Sequence, residues 1–94
     1  MSEQGQGQTP NEGAVDFAGL VLMFSTAAMI HLGATPDPVS GETKADLGPA
    51  KQMIDLLDVL KSKTAGNLTP VESAMLDNFL FDLRMRYLEA VKRA

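Results

Sequence analysis

With 94 residues, twelve acidic and eight basic side chains, the chain has room for a single domain and carries a net charge of −4. That charge argues against nucleic-acid binding by broad phosphate neutralisation, so no nucleic-acid partner is expected. The absence of cysteine excludes disulfide frameworks, thiolate metal sites and cysteine nucleophiles, and the lack of tryptophan leaves an interior of aliphatic side chains, six methionines, four phenylalanines and one tyrosine.

Residues 1–13 hold Gly5, Gly7, Gly13, Pro10 and three glutamines, with no bulky apolar side chain after Met1. Nothing there offsets the entropy of ordering the backbone, so the expectation is a disordered tail ahead of one helical domain, residues 14–94. No lysine or arginine precedes the apolar run that follows, which disfavours a secretory signal.

From Phe17 to Leu32 sixteen residues pass without a formal charge, preceded by Asp16 as a helix N-cap and closed by Gly33. At 100° per residue, Phe17, Leu20, Val21, Phe24, Ala28 and His31 share one face while Leu22, Met23, Thr26, Met29 and Ile30 cover the other. A helix that is apolar nearly all round is expected to be enclosed by protein or lipid. Sixteen residues reach only about 24 Å against a hydrocarbon core of about 30 Å, and no flanking base, Trp or Tyr marks an interface, so protein is favoured over a membrane.

Residues 33–46 carry the turn signals Asp37-Pro38 and Ser40-Gly41 and are read as a structured loop, with acids not spaced for a calcium site. A second helix is expected from near Asp46 to Thr64, with Pro49 tolerated in its first turn and Ala50, Met53, Ile54, Leu57, Leu60 and Thr64 on its inner face. Gly66-Asn67 then supplies a left-handed stop. Thr69-Pro70-Val71-Glu72 reads as a capping box opening a third helix, antiparallel to the second, that runs to about Lys92. Its main face holds Leu76, Phe79, Leu80, Leu83, Tyr87 and Val91. A second stripe, Ala74, Phe81, Met85 and Leu88, lies roughly 150° away, between polar strips holding Asp77 and Arg84 on one side and Asp82, Arg86 and Glu89 on the other. The fold class is therefore all-α, with helices at about 15–32, 47–64 and 70–92.

Such a chain has more apolar surface than it can bury. Helix 1 needs cover all round and helix 3 on two sides, which a symmetric homo-oligomer, most simply a dimer, supplies through Phe17, Phe24 and the second stripe of helix 3; a different protein partner is the other way to cover them.

The polar side chains suggest no catalytic constellation. His31 is the sole histidine, so histidine-based zinc and di-iron patterns fail within one chain; it reads as a helix-end side chain, with a two-fold pair at an oligomer axis as the alternative. Asp55 and Asp58 sit on a solvated face beside Lys51, Lys61 and Ser62. The run Asp82 to Tyr87 is the densest polar and aromatic cluster, but Arg84 and Arg86 point about 200° apart, and Asp82 to Arg86 has the acid-first spacing of an intrahelical pair. Tyr87 belongs to the main apolar face. No phosphate loop, dinucleotide fingerprint or nucleophile elbow is present. The expected function is that of a non-enzymatic assembly module without cofactor, with binding of a membrane or an apolar ligand through helix 1 as the alternative.

The order of segments resembles the domain-of-unknown-function family 1844. The likeness rests on His31-Leu32-Gly33, Pro36-Asp37-Pro38, Gly41-Glu42, Ala50-Lys51-Gln52, Ile54-Asp55-Leu56-Leu57, Leu60-Lys61, Lys63-Thr64, Gly66-Asn67-Leu68-Thr69 and Asp82-Leu83-Arg84-Met85-Arg86-Tyr87, with Gly48-Pro49 departing from the helix formers that family members place there. It implies a small cytoplasmic bacterial helical protein and brings no activity, substrate or catalytic residue.

Overall fold

The computed structural model describes residues 15–93; the tail expected at 1–13 lies outside them. Three helices follow one another, α1 (Phe17–His31), α2 (Leu47–Lys63) and α3 (Pro70–Arg93), with no strand among the described residues. The chain is all-α, as its periodicity indicates.

Each helix end has a local cause. The Asp16 carboxylate accepts from the Gly19 amide at 2.8 Å and so satisfies one of the free donors of the first turn of α1. At the other end Gly33 takes φ +77, while the Ala34 amide donates to the Met29 carbonyl at 2.9 Å and the Gly33 amide to that of Ile30 at 3.0 Å, the paired bonds of a Schellman stop. A Cβ at position 33 would lie 3.1 Å from the Ala45 backbone nitrogen, so glycine is favoured there by its backbone angle and again by the close approach of the next segment. The loop folds on itself through Asp37, whose carboxylate accepts from the Val39 amide at 2.7 Å and whose carbonyl accepts from Gly41 at 2.7 Å. Its base is closed where the Asp46 amide donates to the His31 carbonyl at 2.7 Å, which brings the end of α1 against the start of α2.

The start of α2 has Asp46 at the cap position without a side-chain capping bond, and Pro49 sits in the first turn, where its missing amide costs nothing. Gly66 at φ +88 follows the end of α2. The capping box of α3 is fully formed: the Thr69 amide donates to Glu72 Oε1 at 2.9 Å and the Glu72 amide to Thr69 Oγ1 at 3.1 Å.

The core is one aliphatic cluster. It comprises Val21, Ala28 and Leu32 from α1 and its end, Ala50, Ile54 and Leu57 from α2, and Leu76, Leu80 and Leu83 from α3. Two departures from the expected faces follow from packing. On α3 it is Ala90 that rests against the core while Val91 is exposed, because the buried line advances in steps of four and three from Leu76 through Leu80, Leu83 and Tyr87 to Ala90. On α1 the buried line is Val21, Ser25, Ala28 and Leu32. Leu20 is exposed, and Phe17, Phe24 and His31 are only half-buried. Small side chains at 25 and 28 let the other helices approach closely on that side, and two helices cover no more than one side of a third. Within a single chain, α1 is therefore not enclosed as its composition leads one to expect: Met23 and Leu20 remain open to solvent.

Among the described residues Ser25 is the one buried polar side chain, and its hydroxyl has no hydrogen-bond partner there. An unsatisfied buried hydroxyl costs about 1–3 kcal/mol, and alanine is also the better helix former. Ser25→Ala is accordingly expected to raise the urea midpoint at unchanged slope, a gain of about 1 kcal/mol; a loss of stability would mean that the hydroxyl is bonded.

Candidate functional site

The longest helix carries the feature that the core does not use. Ala74, Phe81, Met85 and Leu88 are all exposed, Phe81 by 68% and Leu88 by 54%, on the side of α3 turned away from Leu76, Leu80 and Leu83. Val71, 78% exposed, and Asn78 complete the same line, so that positions 71, 74, 78, 81, 85 and 88 advance in alternating steps of three and four. That spacing keeps side chains in a straight seam along a helix and is the a/d pattern by which helices pair. Val71 and Asn78 were not among the expected surface residues, although the signal that finds them, the three-four alternation itself, is visible in the sequence once the stripe is extended in both directions.

Ion pairs border the seam. On the edge nearest α2, Asp77 bonds Lys61 at 2.8 Å and Arg84 bonds Asp58 at 2.9 Å, and the pairing runs in opposite senses along the two helices, 61 with 77 and 58 with 84. All four side chains stay about half exposed. On the other edge Arg86 Nε donates to Asp82 at 2.9 Å. Arg84 and Arg86 thus serve different partners on opposite edges and form no joint anion site. Asp55 and Asp58 also separate, Asp58 to Arg84 and Asp55 to Lys51 at 2.8 Å, where the carboxylate holds the Lys51 ammonium above its ordinary pKa through a hydrogen bond and its charge.

The remaining candidates lie apart. Phe17 and Phe24 pack against the core, so the outward face of α1 is carried instead by Gly19, Leu20, Leu22, Met23 and Thr26, which with Val15 and Asp16 line a shallow apolar depression. His31 ends α1 and lines a separate polar hollow with Asp37, Glu42, Lys44 and Asp46, and Tyr87 packs half-buried against the core. No group of three or more His, Asp or Glu side chains among the described residues is arranged to hold a metal ion. No helix among them is long and apolar enough to cross a membrane.

In the comparison with protein families, residues 14–89 match the domain of unknown function DUF1844. The chain belongs to this family. Residues 14–89 include all of α1 and α2 and most of α3, so the DUF1844 match takes in the whole seam from Val71 to Leu88. Neither the curated proteins nor the solved structures gave a significant match. A DUF1844 assignment carries no activity, and the functional reading therefore rests on the geometry of the surface.

Proposed function

We propose that this chain is a non-enzymatic, homo-oligomeric interaction module of the bacterial cytoplasm, a dimer in its simplest form, that assembles through the outer face of α3. The observation that carries the reading is the exposed row Ala74, Phe81, Met85 and Leu88, an apolar stripe interrupted by Asn78 on a helix whose other face already fills the core. Isolated apolar side chains on a surface need no explanation; a straight row of them, bordered by charge on both edges, marks a surface built for contact. A small domain gains doubly from such contact, since its own core is near the lower limit of what sustains folding.

The native mass of the full chain in detergent-free buffer tests this. A particle of twice 10.1 kDa or a higher whole multiple is the expected result, and a single-chain mass at micromolar concentration would overturn the reading. One observation favours a second reading, the largely apolar depression on α1 lined by Leu20, Leu22 and Met23, with Asp16 at its edge, which suits a lipid-like ligand. A chain that aggregates in buffer and becomes monomeric in detergent would favour that alternative.

A further inference from the structure

We infer that two copies of this chain pair through α3 in antiparallel fashion, about a two-fold axis passing between Phe81 and Asn78. The inference rests on the proposed self-assembly and adds to it the partner surface, the direction and the register.

Direction follows from side-chain volumes and charges along the seam. With a positions at Val71, Asn78 and Met85 and d positions at Ala74, Phe81 and Leu88, an antiparallel pair sets a against d. The register that uses all six residues places Val71 on the partner's Leu88, Ala74 on the partner's Met85 and Asn78 on the partner's Phe81. Every layer then opposes a smaller side chain to a larger one, and the gap between the helices stays even. A parallel pair stacks each residue on its own copy, so that the Ala74 layer is hollow and the Phe81 layer, two layers on, crowded.

The charged edge agrees. In the antiparallel register Asp77 lies beside the partner's Arg84, and the symmetric contact repeats it. The two intrachain ion pairs hold these side chains at the edge of the seam while leaving them half exposed, so each is free to take a second partner. The result is an alternating row of Lys61, Asp77, the partner's Arg84 and the partner's Asp58. Parallel pairing instead sets Asp77 beside the partner's Asp82, two like charges at each of two places, and only Arg84 with the partner's Glu89 offsets them.

Because the chain has no cysteine, single thiols report the arrangement directly. Full-length Ala74→Cys and Met85→Cys chains, one of them tagged to change its mass, are treated with a short thiol-to-thiol crosslinker alone and as an equilibrated mixture; both positions are exposed, so neither substitution disturbs the core. In the antiparallel register the thiols of different variants face each other, whereas those of identical variants stand about 16 Å apart along the helix. The expected result is a covalent dimer in the mixture, of the mixed mass only, and almost none in either variant alone. Covalent dimers in each variant alone would overturn the antiparallel arrangement and leave self-assembly through α3 standing. A dimeric native mass with no crosslinking in any sample would remove α3 from the interface, and a monomeric native mass would end both this inference and the reading beneath it.

Discussion

Phe81→Asp is expected to convert the assembled chain into a monomer whose helix content is unchanged. Phe81 is 68% exposed and belongs to no part of the core, so in the single chain the substitution acts on a surface position and shifts stability by no more than about 0.5 kcal/mol. In the pair it places a carboxylate against Asn78 of the other copy, in a layer from which water is excluded, and two-fold symmetry imposes the cost twice. A buried charge with no counter-ion costs about 3–5 kcal/mol, and the amide of the partner's Asn78 returns part of that, so about half of it at each site still raises the dissociation constant by roughly a thousandfold. Light scattering across a concentration series, with circular dichroism on the same samples, reads both halves of the expectation. A variant that keeps the parent mass shows that the seam is not where the copies meet.

Leu80→Ala, one residue earlier, is expected to do the reverse and abolish the fold. The step of 100° around α3 carries the chain from the outer seam to the centre of the core, where Leu80 is 1% exposed. Truncating a buried leucine to alanine costs about 2–5 kcal/mol through lost burial and the cavity left behind. A single core rarely supplies more than about 3–5 kcal/mol below about 70–80 residues, and this three-helix domain stands close to that size. The urea curve of Leu80→Ala should have no native baseline at 25 °C, while that of Phe81→Ala should keep a full native baseline and a cooperative transition. A Leu80→Ala loss below about 1 kcal/mol would contradict the core as described. Two adjacent residues of similar hydrophobicity thus separate folding from assembly.

The difference between those neighbours was legible from the sequence, and so was most of α3. Its capping box, its inner face and its second stripe all follow from local spacing, because a long helix with polar strips between two apolar ones defines its own faces. The face of α2 was legible for the same reason. On α1 the periodicity fails: with no charge from Phe17 to Leu32, every face is equally apolar, and the choice among them is made by the partner helices. They settle on Ser25 and Ala28, where the backbone can come close, and leave Phe17 and Phe24 at the margins. The bonds of Lys61 with Asp77 and Asp58 with Arg84 were not legible either, since they join helices whose relative rotation depends on the core. What was visible locally was only that Asp77 and Arg84 share one edge of α3. The family resemblance read from the ordered segments agrees with the matched residues 14–89 and contributes no role for any side chain.

The closed base of the α1–α2 loop has a practical corollary. Because the Asp46 amide meets the His31 carbonyl, the two ends of segment 33–45 are held together whatever lies between them, and Val39 and Ser40 at its far end are exposed, Val39 by 94%. Doubling the length of a segment anchored in this way costs only about 0.6 kcal/mol of closure entropy. The tip of this loop is therefore the natural place to graft an epitope or a fluorescent reporter: it lies off the helix faces, so a label there leaves the packing of the three helices and the outer seam of α3 intact.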